Sequence, residues 1–234
     1  MPFASGHARL YDFGNQALMQ DNAVRRRFVI YDWLAPLYDL GVWFFFLLTG
    51  GEDRLRARVI EGLEPLSAES LVLELCCGTA TLSLRAAVRG ANAIALDNSP
   101  GMLAVAREKA ERLKTGISLI RADASTLPFR EGAFDRVIAS LGMHELGRDR
   151  ATAALNEAKR VLKKGGRLVI FDYHKAEGVA GWIERLIFAF LETDTAEEWI
   201  AMDIQSVLRQ AGFKDFRRSY HVQGTLQLVS ADKP

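Results

Sequence analysis

The chain has 234 residues, 49% of them hydrophobic and 25% charged, which fits one globular unit around one sizeable core. Its 30 basic and 29 acidic residues leave a formal charge of +1, so no basic surplus asks for nucleic acid. Its two cysteines, Cys76 and Cys77, are adjacent and its four histidines scattered, which excludes a disulfide framework and gives no zinc-site spacing, so no metal is expected and a reducing cytoplasm suits the chain.

The opening MPFASGHARLYDFGNQ lacks the basic-then-apolar order of a signal peptide. Residues 8–66 read as helical and irregular, and 1–66 as a helical segment set apart from a compact unit over 67–234. Arg25–Arg26–Arg27 suits a solvated helix face. Pro36 breaks or starts a helix. The most apolar run, Val42–Leu48, is bounded by Asp39 and Glu52 and falls far short of the roughly 20 residues a membrane span needs. Leu55, Val59, Ile60 and Leu63 recur at helical spacing over 54–63.

From Ser70 strands and helices alternate. LVLEL (71–75) is a short apolar strand running into a turn, and LSLRAAVRG (82–90) a helix stopped by glycine. AIALD (93–97) is a second strand. A helix over 99–116 opens on a Ser cap and a first-turn Pro and ends at Gly116. ISLIRAD (117–123) and DRVIASL (135–141) are further strands; a helix over 150–164 is stopped by KKGG, and RLVIFDY (167–173) is the fifth strand. Apolar helices are expected over 181–191 and 202–210. FKDFRRSYHV and TLQLVSA, joined at Gln223–Gly224, read as an edge hairpin. The alternation predicts a doubly wound parallel α/β sheet.

In such a sheet the ligand lies at the carboxyl ends of the strands. Here those ends carry Glu74, Asp97, Asp123, Ser140–Glu145 and Asp172–His174. A pyrophosphate wants glycines and helix-end amides, and a carboxylate at the same turn repels it. The first turn, ELCCGTA, keeps only Gly78 as glycine. Acids at three successive strand ends suit a cationic nucleoside instead. S-adenosyl-L-methionine is such a ligand. Glu74 would balance its methionine end. Asp97, about 20 residues after Gly78, would accept the ribose hydroxyls, and Asp123 the adenine amino group, with the amide of Ala124 on a ring nitrogen.

These motifs resemble those of class I S-adenosylmethionine-dependent methyltransferases. ELCCGTATLSL is similar to their first motif, ALDNSPGMLAVAREK to the second, RADASTLPFREGAFDRVIAS to the third segment and fourth strand, and RVLKKGGRLVIFD to the glycine turn before the fifth strand. The likeness covers residues 70–175. It implies a Rossmann-like seven-stranded methyltransferase sheet, mainly parallel with an antiparallel C-terminal strand, helices on both faces and an N-terminal helical lid. It also implies S-adenosyl-L-methionine as methyl donor, S-adenosyl-L-homocysteine as product, and Cys76, Asn98, Met102 and Ser140 within the donor site. Cys76 and Ala80 depart from the family's glycines. Both are small, and negative φ is expected at each, with Gly78 taking the left-handed position. The thiols are expected to pack as small apolar groups.

FVIYDWLAPLYDLGVW (28–43) resembles the N-terminal segment of the ubiquinone/menaquinone C-methyltransferases (methyltransferase type 11), which implies a lid over 28–48 with Tyr38 across the donor. Those enzymes carry an F-G-L-R-N-like stretch after the fourth strand. This chain has LGMHEL (141–146), so their acceptor contacts do not carry over. His144, Tyr173 and His174 are the candidate general bases, with Glu145 beside the first. The apolar 43–48 and 182–191 flank the expected opening and suit a lipophilic acceptor, a quinone precursor or a phospholipid head group, or a peripheral membrane contact. The expected protein is a cytoplasmic monomer or homodimer. A nicotinamide dehydrogenase and a binding protein that lost its chemistry are the competing functions; Glu74 and the missing glycines weigh against the first.

Overall fold

The computed structural model describes residues 9–12, 51–175 and 194–234. Strands β1 (Arg9–Asp12), β2 (Leu71–Leu75), β3 (Asn92–Asp97), β4 (Ser118–Arg121), β5 (Phe134–Ser140), β6 (Leu162–Tyr173), β7 (Lys214–His221) and β8 (Leu226–Asp232) form one sheet. Their spatial order is β1-β4-β3-β2-β5-β6-β8-β7. β2 pairs in parallel with β3 and β5, β3 with β4, and β5 with β6. β8 runs antiparallel to both β6 and β7, as expected of the C-terminal hairpin.

Among the described residues the sheet has eight strands, not the seven expected. The extra one is β1, inside the stretch read as helical and irregular. It pairs in parallel with β4, from Arg9 opposite Ser118 to Asp12 opposite Arg121. All four of its residues are exposed, so it carries no buried alternation by which a strand is read. Backbone pairing holds it, with an Arg121–Asp12 ion pair at 3.3 Å.

Helices α1 (Glu52–Leu63), α2 (Thr81–Val88), α3 (Pro100–Leu113), α4 (Gly147–Val161), α5 (Asp194–Ile200) and α6 (Ile204–Gln210) cover both faces. Side chains alternate along a strand. Leu73 and Leu75 therefore join Leu168 and Ile170 in packing with Leu155 of α4, Trp199 of α5 and Leu208 of α6. Val72 joins Val169 and Phe171 on the opposite face, under Val59 and Ile60 of α1 and Leu82 of α2. Ala93, Ala95 and Leu119 pack there with Leu103, Ala106 and Ala110 of α3. Glu74, in step with Val72, is turned toward that second face.

Some helix ends differ from expectation. α3 has its predicted cap, with Ser99 Oγ accepting from Met102 N at 3.1 Å. It ends at Leu113 because Lys114 takes the left-handed conformation (φ 51) ahead of Gly116. α4 spans Gly147–Val161 rather than 150–164. KKGG belongs to β6, where Gly165 N donates to Lys233 O and Lys233 N to Gly166 O, each at 2.8 Å. The partner is the distant C-terminal tail, so the stop signal is overridden by a long-range pairing. The expected helix over 181–191 and the lid over 28–48 lie outside the described residues.

Candidate active site

Strand order reverses between β2 and β5, since β3 and β4 lie to one side and β6 to the other. Crevices for ligands form at the carboxyl ends around such a point. The turn leaving β2 is wound tightly. Cys76, Gly78 and Ala80 all have positive φ, at 50, 52 and 57. The expectation of negative φ at Cys76 and Ala80 is therefore overturned. A non-glycine residue pays about 1 kcal/mol or more to sit there, so neighbouring bonds must hold it. Cys77 N donates to Leu96 O at 3.0 Å and Ala80 N to Cys77 O at 2.8 Å. Gly78 N donates to Asp97 Oδ2 at 2.8 Å.

The Cβ that Cys76 brings is accommodated across the crevice. A Cβ built on Gly142 would lie 2.5 Å from Cys76 Cβ and 3.0 Å from Cys76 O. Gly142 has ordinary negative φ, so its glycine is required by space, not by backbone angle.

Asp97 ends β3 and is fixed by two amides, Gly78 N on Oδ2 and Ser99 N on Oδ1 at 2.9 Å. Its carboxylate is thereby held at the mouth of the turn. Asn98 follows, half-buried, its carbonyl accepting from Arg121 Nε at 3.2 Å. Met102 is buried in the first turn of α3. Asp123 is buried just past β4 and accepts from Ser125 N at 2.9 Å and Arg150 Nη2 at 3.0 Å. Ala124 is buried beside it. Ser140 ends β5 opposite Phe171 of β6.

Glu74 is only 3% exposed. Its Oε2 accepts from Ser83 N at 2.7 Å and Ser83 Oγ at 2.5 Å, closing the first turn of α2. Burial raises its pKa to about 7, against the Ser83 bonds and the charges of Arg56 and Lys109. The acid at the end of β2 thus braces the turn from beneath.

The cysteine thiols are held neutral. Loss of water, then the field of Asp97, Asp123 and Asp172 against the opposing Arg150, pushes Cys76 well above 9. Burial, Asp97 and Glu74 do the same to Cys77. A nucleophilic cysteine needs a lowered pKa, so both act as packing groups.

On the other side of the crevice the chain leaves β5 through Leu141 and Gly142 into a 3-10 turn, Met143–Glu145. Asp172, fully buried at the end of β6, clamps it. Its Oδ2 accepts from Met143 N at 2.9 Å, and its Oδ1 from Tyr173 N at 2.8 Å. His144 Nδ1 lies 2.7 Å from Asp172 Oδ1 and His144 Nε2 3.5 Å from Glu145 Oε1. The Tyr173 ring stands edge-on to His144, 4.7 Å between centroids. Burial opposes a charge on His144. The Asp172 carboxylate, by charge and hydrogen bond, and then Glu145 overcome it, and the pKa rises well above 6.5. His174 is set apart from this group, its Nδ1 3.0 Å from Gly224 O and its ring against Tyr220.

The fold thus brings Glu74, Cys76, Gly78, Asp97, Asp123 and Ser140 to one sheet edge, with His144 and Tyr173 at the same crevice. Tyr38 lies outside the described residues. Arg150, Ser83 and Gly142 escape sequence reading because their partners are far along the chain and no spacing marks them. Among the described residues no group of three or more His, Cys, Asp and Glu is placed to hold a metal. No helix among them is long and apolar enough to cross a membrane.

An open sheet with this strand order, a wound turn after β2 and acids at successive strand ends defines the class I methyltransferase architecture. The methyltransferase-domain family profile matches residues 72–166. The chain is 34% identical over 186 residues to an uncharacterised methyltransferase of Synechocystis sp., covering 79% of this chain and 85% of that protein. It is 38% identical over 159 residues to a demethylmenaquinone methyltransferase of Thermus thermophilus, covering 66% and 70%. A SAM-dependent methyltransferase structure from Thermotoga maritima shares the fold at TM-score 0.64 and 18% identity, covering 88% and 99%. The chain belongs to the class I S-adenosylmethionine-dependent methyltransferases, and within them it resembles the quinone-methylating group.

Proposed function

We propose that this methyltransferase acts on a small lipophilic acceptor, a quinone precursor in its reduced, hydroxylated form. The carrying observation is that two groups meet at the carboxyl ends of the strands where the strand order reverses. A fixed carboxylate, Asp97, stands on the β2–β3 side, and a buried Asp172–His144 pair on the β5–β6 side. The demethylmenaquinone enzyme of Thermus thermophilus supports the acceptor class.

The residues present fit the donor. The turn that Gly142 and Cys76 close leaves no room for a Cβ at 142, and its rim is acidic where a cationic nucleoside would lie. Bound there, the donor supplies a methyl group on a positively charged sulfur. Asp97, held by Gly78 N and Ser99 N, receives the ribose hydroxyls. Asp123, fixed by Ser125 N and Arg150, faces the adenine amino group with the amide of Ala124 beside it. Glu74 holds the turn beneath the methionine end through its hydrogen bonds with Ser83. Cys76, Asn98, Met102 and Ser140 line the same site. Methyl transfer is an in-line displacement, so alignment and water exclusion dominate. We assign those tasks to the segment 28–48 with Tyr38, within an N-terminal unit over 1–66, at a cytoplasmic or membrane-peripheral location.

The test has two parts. Mass spectrometry of the purified protein for carried-over S-adenosyl-L-homocysteine, with calorimetry, checks the donor. Labelled-methyl transfer into chemically reduced demethylmenaquinone checks the acceptor. Donor binding without transfer to the quinol, but with transfer to another lipid or small-molecule extract, overturns the acceptor class. Absence of donor binding overturns the whole assignment.

A further inference from the structure

The loop that follows β4 is laid along one face of α4. Its far end is stapled by two residues of that helix. Glu157 Oε2 accepts from Leu127 N at 2.8 Å, and Arg160 donates through Nη2 to Leu127 O at 3.1 Å and through Nη1 to Phe129 O at 2.8 Å. Arg150 lies two helical turns before Glu157, on the same face, and reaches the loop's first residue, Asp123, with Nη2 3.0 Å from Oδ1. The place is locally unfavourable for it. Arg150 stands in the first turn of α4, the helix end where a cation is disfavoured. Its Nε is buried without a hydrogen-bond partner, an omission that native interiors rarely tolerate. Since Glu157 and Arg160 already hold the loop, Arg150 is explained by Asp123 itself.

The two bonds that fix the Asp123 side chain, 4% exposed, fall on a single oxygen. Ser125 N at 2.9 Å and Arg150 Nη2 at 3.0 Å both reach Oδ1. Among the described residues Oδ2 accepts no hydrogen bond, and it is not sealed from solvent. The carboxylate is thus anchored at one oxygen and open at the other. Its place is at the strand ends: Ala122 N, one residue earlier, donates to Asp97 O at 3.1 Å. The charges of both Arg150 and Asp123 are felt at Cys76, so the pair stands beside the turn after β2.

We propose that Arg150 is the specificity-determining residue of the donor site: by holding Oδ1 of Asp123 it presents Oδ2 to the purine's 6-position, so that the site takes a 6-amino purine and rejects a 6-oxo one. This rests on the contact between Asp123 and the adenine amino group proposed above. An ionised carboxylate can only accept. An amino group offers it a hydrogen, whereas a 6-oxo group sets a second acceptor against it in a buried place, and a site built to bond a ligand N–H rejects the analogue that lacks one. Arg150 is a positioning residue, touching Asp123 and not the purine. Without it the carboxylate keeps only Ser125 N, turns about its Cβ–Cγ bond and takes up water, and the two purines are met on more equal terms.

The test is calorimetry on the full chain with two probes, S-adenosyl-L-homocysteine and its 6-oxo counterpart S-inosyl-L-homocysteine. The wild type should prefer the amino form by about 10²-fold. Arg150→Met should cut that preference about ten-fold. Arg150→Gln, too short to reach Asp123, is read in the same way should the Met variant not fold. Asp123→Asn, whose amide donates as well as accepts, should also lose the preference, and adding Arg150→Met to it should change the ratio no further, since Arg150 acts through Asp123. A purely structural Arg150 would weaken both ligands by the same factor. That result, a wild-type ratio in the folded Arg150 variant, or a further change in the double variant overturns the proposal and leaves Asp123 in the donor site. Asp123→Asn with the wild-type preference, or a wild type that binds both ligands equally, removes Asp123 from the adenine and the proposal with it. Binding of neither ligand refutes the donor assignment itself.

Discussion

Gly142→Ala is the sharpest probe of how the two sides of the crevice are joined. A Cβ at 142 would meet Cys76 Cβ at 2.5 Å and Cys76 O at 3.0 Å. Neither atom is the end of a flexible chain, so backbone must move by a large fraction of an ångström. Overpacking of this kind costs about 1–3 kcal/mol. For a chain of this size that is a Tm loss of about 2–10 °C. Cys76→Gly alone should be nearly neutral. It relieves a left-handed residue at φ 50, worth about 1 kcal/mol. Against that stand a lost thiol contact and the freer unfolded chain that glycine brings. In the double variant the 2.5 Å clash has lost its Cβ partner and only the 3.0 Å approach to the carbonyl oxygen of residue 76 is left, so its stability should come back close to that of Cys76→Gly. The coupling between the two sites is then about 1–3 kcal/mol, far above the few tenths seen for independent sites. Thermal and urea unfolding of the four proteins measures it. Strictly additive effects, or a Gly142→Ala protein as stable as wild type, refute the claim that the two loops share one packing space.

Three further outcomes follow from the site. Asp97→Ala should weaken S-adenosyl-L-homocysteine binding by about 1–3 kcal/mol through lost charge-assisted hydrogen bonds, and unchanged calorimetric affinity removes Asp97 from the donor site. Folding favours the protonated form of Glu74, whose pKa rises from 4.5 to about 7. That favourable contribution is complete below pH 4.5 and is lost as pH climbs through about 7. Relative to Glu74→Gln, the wild type should therefore lose about 3 kcal/mol between pH 4 and 8; parallel stability–pH curves for the two refute the burial of an acid there. The thiols of Cys76 and Cys77, raised well above 9, should resist iodoacetamide at pH 7 with no loss of methyl transfer, and rapid alkylation of the folded protein contradicts their packing role.

Much of the frame is legible in the chain because burial writes it as pattern. β2, β3 and β5 are short apolar runs, and each ends where an acid or a turn begins, so the acids fall at the carboxyl edge without any knowledge of contacts. β1 is invisible for the complementary reason. Its four residues are exposed, and only pairing with β4 makes them a strand. The KKGG turn misleads because its glycines pair with a tail whose approach no local signal announces. The same holds at the site. Asp97 and Asp123 stand out by position, while Arg150 and Ser83 are legible only once α4 and α2 are laid beside their partners.

The turn after β2 joins these threads. Reading one glycine where the family has three suggests a loosened pattern in which small residues avoid the left-handed region. Instead, Cys76 and Ala80 join Gly78 in adopting positive φ. Cys76 brings a Cβ, and Gly142, beyond β5, has none at the point of contact. The space around the turn is thus set by two loops jointly. Because the amide of Glu145 donates to the carbonyl of Gly142, the turn after β2, the glycine that accommodates it and the 3-10 turn after β5 form one packed series. A departure that looks like a defect in the turn after β2 is better understood as the point where that turn is set against the loop leaving β5.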